Sequence, residues 1–154
     1  MQIVRALLVE DDPEWQRQLA EILLELGYTV QTVSNYADAR NRYVSATFDL
    51  IIADLRLGSE LANRDGVFIL EDAFTKGIPA VVVTGYGTRD MVRKADRYDV
   101  LKLVHKGAFD KEQFKQTVSE VVRISTSNAV PPTLQQTKEV RQLLRKLDAG
   151  EIIE

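Results

Sequence analysis

Five short apolar runs rich in β-branched residues recur along the chain, at 3–9, 28–33, 50–53, 80–84 and 100–104. Between them lie segments whose apolar residues follow a helical period. This alternation constrains the fold more than any other feature of the sequence. Strands separated by crossover helices pair in parallel, and right-handed crossovers put helices on both faces of one sheet. The runs LIIA at 50–53 and AVVVT at 80–84 lack polar alternation, as strands covered on both faces do. The pattern predicts an α/β fold with a five-stranded, doubly wound parallel sheet.

The helical segments carry their own signals. In the first, Trp15, Leu19, Ile22, Leu23 and Leu26 recur at three- and four-residue spacing, and Gly27 is a stop signal. The second, 35–46, has Ser34 as expected N-cap and Ala39, Tyr43 and Val44 as its inner face. The third starts after Gly66, buries Leu70, Ala73 and Phe74, and ends at Gly77. The fourth, 89–98, is mostly polar, and the fifth, 111–124, turns Phe114, Val118, Val121 and Val122 inward. One domain is expected over 1–126. The polar stretch STSNAVPPT, with Pro131 and Pro132, reads as a linker over 127–133. Residues 134–154 form a helical extension, read either as a tail or as the start of an output region. Val140, Leu144 and Leu147 recur at helical spacing, but over too few turns for a coiled coil.

Composition excludes several functions. Without cysteine there is no disulfide framework, thiolate nucleophile or cysteine zinc site. A net charge of −3 offers no basic stripe for nucleic acid or anionic lipid. The start MQIVRALLVEDD lacks the pattern of a signal peptide, and no apolar run is long enough to span a bilayer. A cytoplasmic domain that binds neither membrane nor nucleic acid is expected.

In a parallel sheet all strand carboxyl ends share one edge, and ligands sit outside it where strand order reverses. Here that edge gathers Glu10, Asp11 and Asp12 after the first strand, Asp54 after the third, Thr84 after the fourth and Lys106 after the fifth. Asp12 precedes Pro13, which is favoured at the first helical position, so Asp12 reads as the N-cap. Glu10, Asp11 and Asp54 remain. Carboxylates about 5 Å apart repel by roughly 3 kcal/mol at an effective dielectric near 20. A hard divalent cation relieves this, and oxygen ligands favour Mg²⁺. Such a cluster beside an ammonium and a hydroxyl suits a phosphoryl group, and a carboxylate can itself be the nucleophile. His105, the only histidine, reads as structural or solvated, because along a strand its side chain points away from that of Lys106.

These residues reach a family. The acidic pair after the first strand, IIADL, VVVTGYG and HKGAF occur in this order over 3–125, and the chain thereby resembles the receiver domain of bacterial two-component response regulators. The resemblance implies a flavodoxin-like sheet of order 2-1-3-4-5. It implies that Asp54 accepts a phosphoryl group from a sensor histidine kinase or histidine phosphotransfer protein. Glu10, Asp11, Asp54 and the main-chain carbonyl of Arg56 would hold Mg²⁺, and Thr84 and Lys106 would contact the phosphoryl group. Such a protein is a switch that catalyses only its own phosphorylation and dephosphorylation. Its output face would be the fourth helix, fifth strand and fifth helix, and homodimers would form there or through the C-terminal helix.

Three departures from the family pattern stand out. Leu103 occupies the place where many receivers carry a switching aromatic residue. Gly107 replaces the usual proline after the lysine, so a cis peptide is not expected there. The loop LRLGSELANRDG after Asp54 is about four residues longer than usual. An aspartate-nucleophile phosphatase would need an acid at position 56, where Arg56 stands. A nucleotide-binding relative would need a Ser/Thr/Gly-rich loop in place of VEDDPEW. A phosphate-independent interaction module is the alternative that Leu103 leaves open.

Overall fold

A computed structural model of the chain describes residues 3–54, 57, 65–85 and 101–127, with isolated helical positions at 135, 138, 139 and 142. Five strands, β1 (Arg5–Val9), β2 (Thr29–Val33), β3 (Leu50–Ala53), β4 (Ala80–Thr84) and β5 (Leu101–His105), form one sheet in the order β2-β1-β3-β4-β5. Every neighbouring pair is parallel. The helices are α1 (Pro13–Glu25), α2 (Tyr36–Ser45), α3 (Asp65–Thr75) and α4 (Lys111–Ser127), the last being the fifth helical segment of the sequence. The expected helix at 89–98, the linker and most of the C-terminal extension lie outside the described residues.

The sheet separates two apolar layers, and the period of two along each strand decides which residue joins which. Leu7, Val9, Ile51 and Ala53 face α2 and α3, where Ala39, Tyr43, Leu70 and Phe74 cover them. Ala6, Leu8, Leu50 and Ile52 face α1 and α4, where Leu19, Leu23, Phe114 and Val118 cover them. Strands β3 and β4 are thus buried along their whole length, which is why LIIA and AVVVT need no polar alternation.

Several local readings shift. The N-cap of α2 is Asn35, whose side chain accepts the Asp38 N–H at 2.9 Å, and not Ser34. Val44 is 64% exposed, so the inner face of α2 is Ala39 and Tyr43. In α3 Ile69 joins the buried set. α1 behaves as read: Asp12 Oδ1 accepts the N–H groups of Glu14 (2.9 Å) and Trp15 (3.2 Å), with Pro13 opening the helix. Gly27 and Gly77 adopt φ of 85° and 73° after α1 and α3, a conformation that glycine enters without a Cβ penalty.

Candidate functional site

The chain leaves β1 for β2 on one side of the sheet and returns to β3 on the other, so strand order reverses between β1 and β3. Pairing of Val9 with Ala53 sets the next residues, Glu10 and Asp54, side by side at that point. Their backbones are held: Glu10 N–H donates to Val33 (3.1 Å) and Asp54 N–H to Val9 (3.3 Å). Across the sheet Thr84 pairs with His105, which brings Lys106 to the same edge. Glu10, Asp54 and Thr84 are buried, and Asp11 is exposed at the rim.

Lys106 joins the two carboxylates. Its Nζ lies 2.5 Å from Glu10 Oε1 and 2.8 Å from Asp54 Oδ2. Burial favours the neutral lysine, but the hydrogen bonds and charges of Asp54 and Glu10 outweigh it and hold Lys106 charged. Burial acts on Glu10 in the opposite sense. Its pKa is pushed up to about 7, against the attraction of Lys106 and with added repulsion from Asp54 and Asp11. Glu10 and Asp54 share the one Lys106 ammonium, and Asp11 stands exposed beside them.

This arrangement fits a divalent cation by its chemistry. The donors are carboxylate oxygens, and Glu10 Oε2 is buried with no hydrogen-bond partner among the described residues. No group of three potential ligand side chains among the described residues is already gathered as a metal cage. Mg²⁺ does not require one, since it keeps several waters and commonly uses one or two carboxylates. The Arg56 carbonyl lies outside the described residues, as does most of the long loop after Asp54.

The turn after β5 is a single 3-10 turn, Lys106–Ala108, and none of the described peptide bonds is cis. His105 is structural: its Nδ1 accepts the Gly107 N–H at 3.0 Å. Leu103 is buried with the core residues of the α2–α3 side. Trp15, read from sequence as a core residue of α1, lies with its ring centroid 5.1 Å from Lys106 Nζ. The available signal was its place in the first helical turn after the acidic pair, which brings its side chain to the strand-end crevice.

A model of the response regulator receiver domain matches residues 6–119. The chain is 27% identical over 132 residues to the transcriptional regulatory protein ZraR of Klebsiella oxytoca, covering 84% of this chain but 29% of ZraR. Its fold matches the PhyR response regulator REC domain of Erythrobacter litoralis with a TM-score of 0.68 at 22% identity, over 87% of this chain and 98% of that one. It also matches the response regulator TrrA of Thermotoga maritima, solved in complex with Mg²⁺–BeF, with a TM-score of 0.63 at 23% identity, over 77% and 99% of the two chains.

Proposed function

This chain belongs to the receiver domain family of two-component response regulators, and from that premise we propose that it is a phosphorylation-driven switch with Asp54 as its acceptor. The observation that carries the reading is the Lys106 ammonium bridging Asp54 and Glu10 at the reversal of strand order. An Asp54 carboxylate oxygen attacks phosphorus in a phosphohistidine of a sensor kinase or phosphotransfer protein. The O–P bond forms, the P–N bond breaks, and the imidazole leaves with the electron pair and takes up a proton. Lys106 and the Thr84 hydroxyl donate to phosphoryl oxygens, lowering the cost of the charge that develops there. Glu10, Asp11, Asp54 and the main-chain carbonyl of Arg56 are the groups proposed to hold Mg²⁺, which when bound offsets charge on those oxygens.

The domain acts on itself and not on a diffusible substrate. Phosphate biases a two-state equilibrium whose output face is the 89–98 segment, β5 and α4, where partners or a second copy dock. Among the described residues no helix is long and apolar enough to cross a membrane, and we place the domain in the cytoplasm. Residues 1–126 form the receiver unit in this reading, with 127–133 as linker and 134–154 as helical extension. That extension is read either as a tail or as the start of an output region.

Intact mass after incubation with acetyl phosphate and Mg²⁺, beside Asp54→Ala, tests the reading. One phosphoryl group gained by the parent alone, and lost without Mg²⁺, is expected. A gain retained by Asp54→Ala would assign the acceptor elsewhere. No gain at all would favour a phosphate-independent interaction module, the alternative that Leu103 leaves open.

A further inference from the structure

We propose that Trp15 is a positioning residue for phosphoryl transfer, its indole face holding the Lys106 ammonium in line with the acceptor carboxylate. The inference rests on the receiver reading and concerns a residue outside its reacting groups.

A lysine head group is hard to place, because the charge rides on a flexible four-carbon stem. The turn fixes only its root. β5 ends at His105, whose Nδ1 accepts the Gly107 N–H, and a Cβ at position 107 would come within 3.1 Å of that imidazole. A side chain there would press on the His105 ring that caps the turn.

The head is held from across the crevice. Nζ sits 5.1 Å from the Trp15 ring centroid, inside the roughly 6 Å range of cation–π attraction. The same indole meets Phe109 edge-on, with centroids 5.2 Å apart and planes at 84°. Phe109 in turn packs on Phe114 of α4 at 5.4 Å. One ring therefore touches both the head of Lys106 and the residue that closes its turn.

Trp15 is itself anchored. Its backbone N–H donates to the Asp12 cap at 3.2 Å, and the Gln16 side chain donates to the Glu10 carbonyl at 3.2 Å. The first turn of α1 is thus tied to the end of β1. The ring restrains the ammonium through its quadrupole and contributes no oxygen acceptor. The lysine can exchange a carboxylate oxygen for a phosphoryl oxygen without leaving its place.

Trp15→Leu keeps apolar bulk against Phe109 and removes the π face, and Trp15→Phe keeps a smaller one. The test measures the rate constant for phosphorylation by acetyl phosphate at saturating Mg²⁺, together with Tm, Mg²⁺ affinity and the NMR shift of the Lys106 ε-methylene protons. Trp15→Leu is expected to slow phosphorylation about three- to tenfold, to lose the upfield ring-current shift and to keep parental Mg²⁺ affinity. Trp15→Phe is expected to recover most of the rate. Equal rates in parent and Trp15→Leu would overturn the inference, as would a Phe variant no faster than the Leu variant. A parent that takes up no phosphoryl group would overturn the acceptor reading and this inference with it. That failure is distinguishable because it appears in the parent.

Discussion

The Tyr43 hydroxyl donates to Asp72 Oδ2 across the α2–α3 interface, and the Tyr36 hydroxyl reaches the same oxygen at 3.2 Å. Tyr43 is buried, so its bond to a carboxylate sits where water competes poorly. Tyr43→Phe is expected to lower stability by about 1.5–3 kcal/mol in urea denaturation. Burial first, and then Asp72, hold the Tyr43 hydroxyl well above its ordinary pKa. The unfolded phenol ionises near pH 10 while the folded one stays neutral. The stability this group confers is therefore complete below pH 10 and is lost as pH rises above it. Tyr43→Phe should show a shallower alkaline loss than the parent, and parallel curves would argue against the shift.

Lys106→Met removes the ammonium that Glu10 and Asp54 share in a buried setting. In chelator this variant should be about 3–5 kcal/mol less stable than the parent. Millimolar Mg²⁺ should narrow the gap, because a second cation then enters the carboxylate pair. Thermal melts of both proteins, with and without Mg²⁺, read this directly. A gap unchanged by Mg²⁺ would mean that the carboxylates do not share an ion.

The sequence made the sheet plain and the contacts across it much less so. LIIA and AVVVT coincide with β3 and β4 because unbroken apolar runs have one use in a doubly wound fold. At 3–9 the run overshoots: β1 starts pairing at Arg5, and Ile3 remains 65% exposed. Asn35 and Ser34 are both capping residues, and only the geometry of the helix start decides between them. Val44 shows the limit of periodicity, since a short helix can place a β-branched residue outward at small cost. Glu10, Asp54, Thr84 and Lys106 were legible because a parallel sheet gathers strand ends by rule. Trp15 and Lys106, like Tyr43 and Asp72, meet through side-chain directions that no local pattern encodes.

Asp12→Ala separates the cap from the neighbouring acids. It removes the acceptor for the Glu14 and Trp15 N–H groups and should cost about 0.5–2 kcal/mol. Mg²⁺ affinity, read by isothermal titration, should stay within about twofold of the parent, since the charge lies outside the proposed ligand set. A large loss of affinity would return Asp12 to the metal site.

Glu10→Gln tests the buried end of that set. The amide keeps the shape of the side chain and removes the charge that meets Lys106. Mg²⁺ affinity should fall about tenfold or more, because fewer anionic oxygens face the ion. An unchanged affinity would restrict the site to Asp11, Asp54 and the Arg56 carbonyl.

Trp15 is the sole tryptophan of the chain. Excited selectively through indole, the protein has one emitter, and it lies beside the ammonium of Lys106. Its spectrum is a single-site optical record of the crevice, undiluted by signal from elsewhere. Binding of an ion, arrival of a phosphoryl analogue and its departure can each be timed in a stopped-flow cuvette without attaching a dye.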